Sequence, residues 1–287
     1  MIRLQEEPLC AHTTFRIGGP ARYYLIPESE EEVMEALVFA KENGYSYYVV
    51  GKGSNMLFSD EGFDGVVIEI GKGLEEMKIQ EDGLVVAQAG ISLSAMAMRL
   101  AKEGFKGFAF AGGIPGTLGG GITMNAGAYG GEIKDCIRSA KVITGDGRIV
   151  ELTKDELELD YRTSVIQKKN YLVLEGTFYF EKGDPQAIQE EIKELNQRRR
   201  DKQPLEYPSA GSTFKRPQGY FAGKLIEDAG LRGYRVGDAQ VSEKHCGFVV
   251  NRGQATAADV RQVIRDVQNK VKEQFGVELE PEVRMVK

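Results

Sequence analysis

The stretch GIPGTLGGGITMNAGAYGG, Gly113 to Gly131, holds eight glycines in nineteen residues. Within a regular element each glycine costs roughly 0.5–1 kcal/mol relative to alanine. A run this dense points to backbone that must pass very close to something. The common phosphate loops are absent: no Gly-x-Gly-x-x-Gly occurs, and no Gly-Lys pair leads into Ser or Thr at P-loop spacing. Consecutive glycines can instead turn their N–H groups toward one point and form an anion-binding nest, with Thr117 adding a hydroxyl. A second loop, VGKGSN, follows a strand-like run, so Gly51, Gly53, Ser54 and Asn55 could meet the same ligand. Glycine also marks bulges and tight corners, so both loops can equally be turns of a β-rich domain.

The chain has 287 residues, more than one core usually serves, so two or three domains and a cleft between them are expected. A net charge of −6 argues against a nucleic-acid binder held mainly by phosphate contacts. The N-terminal segment has no basic start followed by an apolar run, and no stretch approaches eighteen consecutive apolar residues. The expectation is a cytoplasmic protein with no membrane partner. Three distant cysteines, Cys10, Cys136 and Cys246, and two histidines, His12 and His245, support neither a disulfide framework nor a metal site.

Ser29, Glu32, an apolar stripe and Gly44 predict a helix with a capping box. YSYYVV, GVVIEI, LVVAQAG, RSAKVIT, GRIVELT and YLVLEGTFYF read as strands, with a short helix at SLSAMAMRLAKEG. Asp184 and Pro185 open a helix that carries basic residues into its last turn. Beyond it lie a helix at YFAGKLIEDAG, a strand at CGFVVN, and a long helix from Thr256 to Gly276 with a second capping pattern at Asp259. The tail VELEPEVRMVK reads as a last strand.

The segments TTFRIGGPA, GKGSNMLFSD, AGGIPGTLGGGITMNAGAYGGEI, YRTS, PSAGSTFKRP, AGKLIEDAGLRGYRVGDAQVSEKH and LEPEVR stand in the order found in the UDP-N-acetylenolpyruvoylglucosamine reductase family. The chain resembles that family over nearly its whole length. The resemblance implies an α+β fold: a two-part FAD-binding region of the vanillyl-alcohol-oxidase-like (PCMH) type, then a C-terminal α/β substrate-binding domain. The parts would be residues 1–71, to which the tail 277–287 could return, residues 72–202, and residues 203–276. It implies non-covalent FAD. Gly51, Lys52, Gly53, Ser54 and Asn55 would hold one side of the diphosphate. Gly113, Pro115, Gly116, Thr117, Gly119 and Gly120 would hold the other, and Asn125, Gly127 and Ala128 would lie near the flavin ring.

The reaction implied is reduction by NADPH of the enolpyruvyl ether of UDP-N-acetylglucosamine enolpyruvate, a step of peptidoglycan precursor synthesis. By the resemblance, Arg162 of YRTS stabilises charge on the substrate carboxylate, for which a guanidinium fork is suited. Ser212 donates a proton to the adjacent carbon. Glu282 either donates a hydrogen bond in its protonated form or, ionised, orients Arg162. Lys202, Lys215, Arg216 and Tyr220 are candidates for the nucleotide-sugar or NADPH phosphates, although the basic run ending at Lys202 equally suits a helix C-terminus. YRTSVIQKKNYLVLEGTF runs directly toward the next strand, similar to family members that lack an inserted tyrosine loop. A monomer acting on small molecules is expected.

Overall fold

The computed structural model describes residues 1–287, which group into two units. The first comprises Met1–Leu4, Tyr24–Lys52 and Gly65–Arg199; the second comprises Gln5–Tyr23, Gly53–Asp64 and Arg200–Lys287.

In the first unit, Ser29 caps helix α1 (Glu30–Glu42) by accepting from the Glu32 N–H, and the helix buries Val33, Ala36 and Ala40. The expected capping box forms only in part. The Glu32 carboxylate takes the Glu28 N–H and the terminal ammonium of Met1, not the Ser29 backbone. The strand Tyr47–Val50 that follows runs parallel to Phe63–Glu69, pairing Tyr47 with Val66 and Val50 with Glu69.

A five-stranded antiparallel sheet is the frame of the remaining part, in the order Ile149–Thr153, Ile137–Ile143, Leu172–Tyr179, Leu84–Gln88, Met77–Ile79. Four helices complete it: α2 (Leu93–Lys102), α3 (Leu118–Thr123), α4 (Val165–Lys169) and α5 (Pro185–Lys202), the last running into the second unit. Phe108, Phe178 and Phe180 pack edge-on and stacked beside the sheet, with centroids 5.7–6.2 Å apart. Gly176, in the central strand, leaves the space that Ile122 of α3 occupies: a Cβ there would lie 2.9 Å from Ile122 Cδ1. The glycine-rich stretch is thereby seated on the middle of the sheet. Two elements depart from the sequence reading. The presumed loop at LGGGIT is helical, and α4 intervenes between YRTS and the strand Leu172–Tyr179.

In the second unit, α6 (Ala222–Asp228) and α7 (Ala257–Phe275) cover an antiparallel sheet ordered Ser209–Ser212, Phe248–Asn251, Ala239–Val241, Arg235–Val236. Val260, Val263, Ile264, Val267 and Val271 recur at helical spacing along α7 and join one core with Leu225, Ile226, Phe15 and Leu57. The helix starts where sequence says it should. Thr256 and Asp259 cap each other's backbone, and the Asp60 carboxylate accepts from Ala257 N at 2.6 Å and Ala258 N at 2.9 Å. Gly276, at φ +68°, ends it. The tail strand is shorter than expected, Arg284–Val286, and pairs parallel to Met56–Phe58. No helix is long and apolar enough to cross a membrane.

Candidate active site

The glycine stretch is built largely by tertiary hydrogen bonds. Leu118 N–H donates to Ile91 O and Gly119 N–H to Ala89 O, each at 2.8 Å, while Gly116 O receives Leu93 N–H at 3.0 Å. The open nest expected from consecutive glycines is therefore not formed at Gly119, whose N–H is already committed. Thr117 caps no N–H of α3, and Gly120 is exposed at its first turn.

The close approaches that the glycines permit are mostly to the protein itself. A Cβ on Gly119 would stand 3.0 Å from Ala89 Cβ, on Gly121 3.1 Å from Leu93, on Gly127 2.7 Å from Gly131 O, and on Gly131 2.6 Å from the Phe110 ring. A Cβ on Gly130 would meet open space, and one on Gly120 only an ordinary contact with Thr117 Oγ1 at 3.7 Å. A Cβ on Gly51 would run into the Thr117 hydroxyl, so the loop start at Gly51 and the glycine stretch meet here as sequence suggested.

Beyond α3 the chain makes a tight hairpin, Gly127–Ala128 against Gly131–Glu132, with Tyr129 and Gly130 both at positive φ (54° and 92°). That is the geometry of a primed turn, whose first position ordinarily selects Asn, Asp or Gly. Asn125 precedes the hairpin at φ 43° and is fully buried. Its side-chain polar atoms are all engaged by the protein itself. Nδ2 donates to Glu132 Oε2 at 3.0 Å and to Asp160 O at 3.2 Å, while Oδ1 accepts from Lys134 N–H at 3.0 Å.

Arg162 lies in a two-residue turn between Asp160 and Thr163, which exchange backbone hydrogen bonds, and not in a strand. Its φ of 55° is a conformation that costs a non-glycine residue of order 1 kcal/mol. The guanidinium docks on the glycine stretch: NH2 donates to Gly127 O at 3.1 Å, NH1 approaches Asn125 O at 3.5 Å, and the Tyr161 ring lies 5.1 Å away. Ser164, fully buried, ties the same turn to α3 through Thr123 O at 2.7 Å and caps α4.

In the second unit the strand Ser209–Ser212 continues alongside the tail. Glu282 N–H donates to Thr213 O and Lys215 N–H to Glu280 O, both at 2.8 Å. Ser212 and Glu282 are thus drawn to one edge, where the exposed Ser212 hydroxyl makes no hydrogen bond to the protein. Asn55 belongs to this edge: its Nδ2 donates to Glu282 O at 3.1 Å and its carbonyl accepts Arg284 N–H. Gly53 presses on His12 and Thr13 at φ 57°.

Lys215 already has an acidic partner, Glu280, at 2.5 Å. Arg216 stacks over the exposed Phe221 ring at 4.6 Å, next to exposed Tyr220, and Lys202 is exposed at the end of α5. His245 accepts from Gly247 N–H through Nδ1 and meets Phe248 edge-on, and burial lowers its pKa. It is structural.

One group escaped the sequence reading. Arg199, half-buried on α5, makes no hydrogen bond or ion pair to the protein. A Cβ on Gly113 would stand 3.2 Å from Arg199 Cδ and 3.7 Å from its NH1. Desolvation pushes its pKa down, and nearby Tyr129 only partly offsets this. In the sequence it is one of three consecutive arginines, and nothing separates it from its neighbours. An unpaired guanidinium beside Gly113, exposed backbone at Gly120 and the close Gly51–Thr117 approach fit an anionic cofactor that contacts main chain.

Comparison with known proteins covers the chain end to end. A family described as FAD binding domain matches residues 21–153, and one described as UDP-N-acetylenolpyruvoylglucosamine reductase, C-terminal domain, matches 203–286. The UDP-N-acetylenolpyruvoylglucosamine reductase of Lachnoclostridium phytofermentans is 58% identical over 284 residues, 98% of this chain and 92% of that protein. That of Agathobacter rectalis is 53% identical over 294 residues, 99% and 93% of the two chains. Among solved structures, UDP-N-acetylenolpyruvylglucosamine reductase from Thermus caldophilus superposes with a TM-score of 0.84 at 32% identity, covering 100% of this chain and 98% of that one.

Proposed function

Because the chain belongs to the UDP-N-acetylenolpyruvoylglucosamine reductase family and is an FAD-dependent oxidoreductase of peptidoglycan precursor synthesis, we propose that it oxidises NADPH and reduces UDP-N-acetylglucosamine enolpyruvate to UDP-N-acetylmuramate, with Arg162, Ser212 and Glu282 as catalytic residues. The observation that carries this reading is the docking of Arg162 on the carbonyl of Gly127, which couples a carboxylate-binding group to the glycine stretch.

When bound, FAD supplies hydride transfer from the nicotinamide to the methylene carbon of the enolpyruvyl ether. The protein's residues manage the charge and the proton. Hydride addition pushes electrons toward the carbon bearing the carboxylate, and Arg162 stabilises the enolate that develops there. Ser212, with a hydroxyl free of protein partners, protonates that carbon; a weak acid suffices because an enolate carbon is a strong base. Glu282 is held through main-chain bonds to Thr213 and Asn55 and acts on the same carboxylate or on Arg162.

Residues of 1–71 and 72–202 hold the FAD, through Gly51 to Asn55, Gly113 to Gly120, Gly127 and Ala128, with Arg199 facing its negative charge. Residues 203–276 take the nucleotide-sugar, with Lys202, Arg216 and Tyr220 toward its phosphates and sugar and Lys215 reaching them by exchanging its Glu280 partner. The protein works as a monomer in the cytoplasm.

The test is an anaerobic stopped-flow record of flavin absorbance for the wild type and for Ser212→Ala. NADPH bleaches both. The enolpyruvyl substrate restores the wild-type band, and restores that of the variant about 100-fold more slowly, the scale of a lost acid catalyst. Equal reoxidation rates overturn the role of Ser212; a wild-type flavin that stays reduced overturns the substrate.

A further inference from the structure

A strained turn keeps its geometry only if the surroundings over-determine it. The turn that carries Arg162 is bound to the glycine stretch at several points, and Asn125 supplies two. Its Nδ2 holds Asp160 O, the first residue of the turn, and its own carbonyl faces the Arg162 guanidinium. Asn125 is itself at positive φ, and its remaining polar atoms are used by Lys134 N–H and the Glu132 carboxylate. Glu132 is fixed in turn: its N–H donates to Asp135 Oδ2 at 2.9 Å, and its Oε1 pairs with Lys134 Nζ at 3.0 Å.

We propose that Asn125, braced by Glu132, is a positioning residue that fixes the Arg162 guanidinium for the substrate carboxylate. The inference rests on the role given to Arg162 above. It gives the side chain of Asn125, a residue expected to lie near the flavin ring, a function in the step that consumes the substrate. Asparagine alone fits: the amide must donate twice, to a carboxylate and to a carbonyl, and accept once from a main-chain N–H. Aspartate would set two carboxylates 3.0 Å apart, and alanine would take one hydrogen-bond partner each from Glu132, the Asp160 carbonyl and the Lys134 N–H.

The experiment uses the FAD-loaded protein and resolves both half-reactions anaerobically for Asn125→Ala, Glu132→Ala, Glu132→Gln, Arg162→Ala and the double variant Asn125→Ala/Arg162→Ala. Asn125→Ala and Glu132→Ala keep their flavin and are bleached by NADPH within about twofold of wild type, yet reoxidise with the enolpyruvyl substrate about 10- to 100-fold more slowly, the scale of a misplaced group. Glu132→Gln, which keeps an acceptor for Nδ2, recovers most of the rate. In the double variant the Asn125 change adds nothing to the loss caused by Arg162→Ala.

A slow Arg162→Ala with normal reoxidation in Asn125→Ala and Glu132→Ala overturns the positioning role and leaves Arg162 standing. Loss of flavin or equal slowing of both half-reactions shows a purely structural residue and also overturns it. Normal reoxidation in Arg162→Ala overturns the assignment of Arg162 and the inference with it. Should Asn125→Ala fail to fold, Glu132→Ala removes one bond from the same side chain without emptying the buried site, and the Glu132→Ala and Glu132→Gln pair decides.

Discussion

Replacing Gly51 by alanine tests whether the start of the VGKGSN loop and the glycine stretch meet as described. The new methyl group would fall on the Thr117 hydroxyl, closer than real Cβ atoms approach, and 3.0 Å from Thr117 Cγ2 and 3.1 Å from its Cβ. Turning the threonine about χ1 exchanges one crowded atom for another. Nor can Thr117 withdraw with its backbone, because it bridges Ser92 and the next residue is bonded to Ile91. Overpacking of this kind costs about 1–3 kcal/mol, and the contact argues for the upper end. If FAD requires the two segments in register, its affinity falls by roughly 100-fold, since about 1.4 kcal/mol is a factor of ten.

Thr117→Ala removes Oγ1 and Cγ2 and leaves only a 3.1 Å contact, which a shift of a few tenths of an ångström relieves. The double variant Gly51→Ala/Thr117→Ala should therefore recover about 2 kcal/mol, measured both by urea unfolding and by FAD titration through flavin fluorescence. Additivity of the two single changes to within about 0.5 kcal/mol would refute the contact.

Arg199→Gln should weaken FAD binding by about 10- to 100-fold through loss of a charge-assisted contact, with Arg199→Lys intermediate; unchanged affinity in a titration would remove Arg199 from the cofactor site. Thr256→Ala and Asp60→Ala should each destabilise the second unit by about 1 kcal/mol, because each frees N–H groups at the start of α7; urea midpoints at constant m-value measure this. His245 has its pKa lowered by burial below the usual 6.5, so the unfolded chain binds its proton first. Its contribution to stability is present above about pH 6.5 and is lost as pH falls, and the slope between pH 7.5 and 5 should flatten in His245→Gln.

Elements with local signals were legible. Helix α7 carries its own cap at Thr256, its own stop at Gly276 and a valine stripe between them, so nothing distant was needed to find it. The same holds for α1, except that Glu32 had a better use for its carboxylate than the Ser29 backbone. Helix α3 was hidden for the opposite reason. Three consecutive glycines are poor helix formers, and LGGGIT is helical because Leu118 and Ile122 are buried, Gly119 is bonded to Ala89, and Gly176 opens space on the sheet. Every one of these causes lies outside the segment.

The site divides in the same way. The identity of Arg162 as a candidate came from motif order, but YRTS contains no sign that its arginine takes a positive φ. That conformation is set by Asn125, 37 positions earlier, and by Ser164 bonding to Thr123. Likewise one arginine in a run of three is distinguished only by what fails to stand beside it. The glycine density therefore has a stricter reason than cofactor clearance. The stretch must touch Ala89, Leu93, Phe110 and Glu132, offer carbonyls to Arg162, and still leave Gly120 bare, so a side chain at Gly119, Gly121, Gly127 or Gly131 would press on the protein's own atoms.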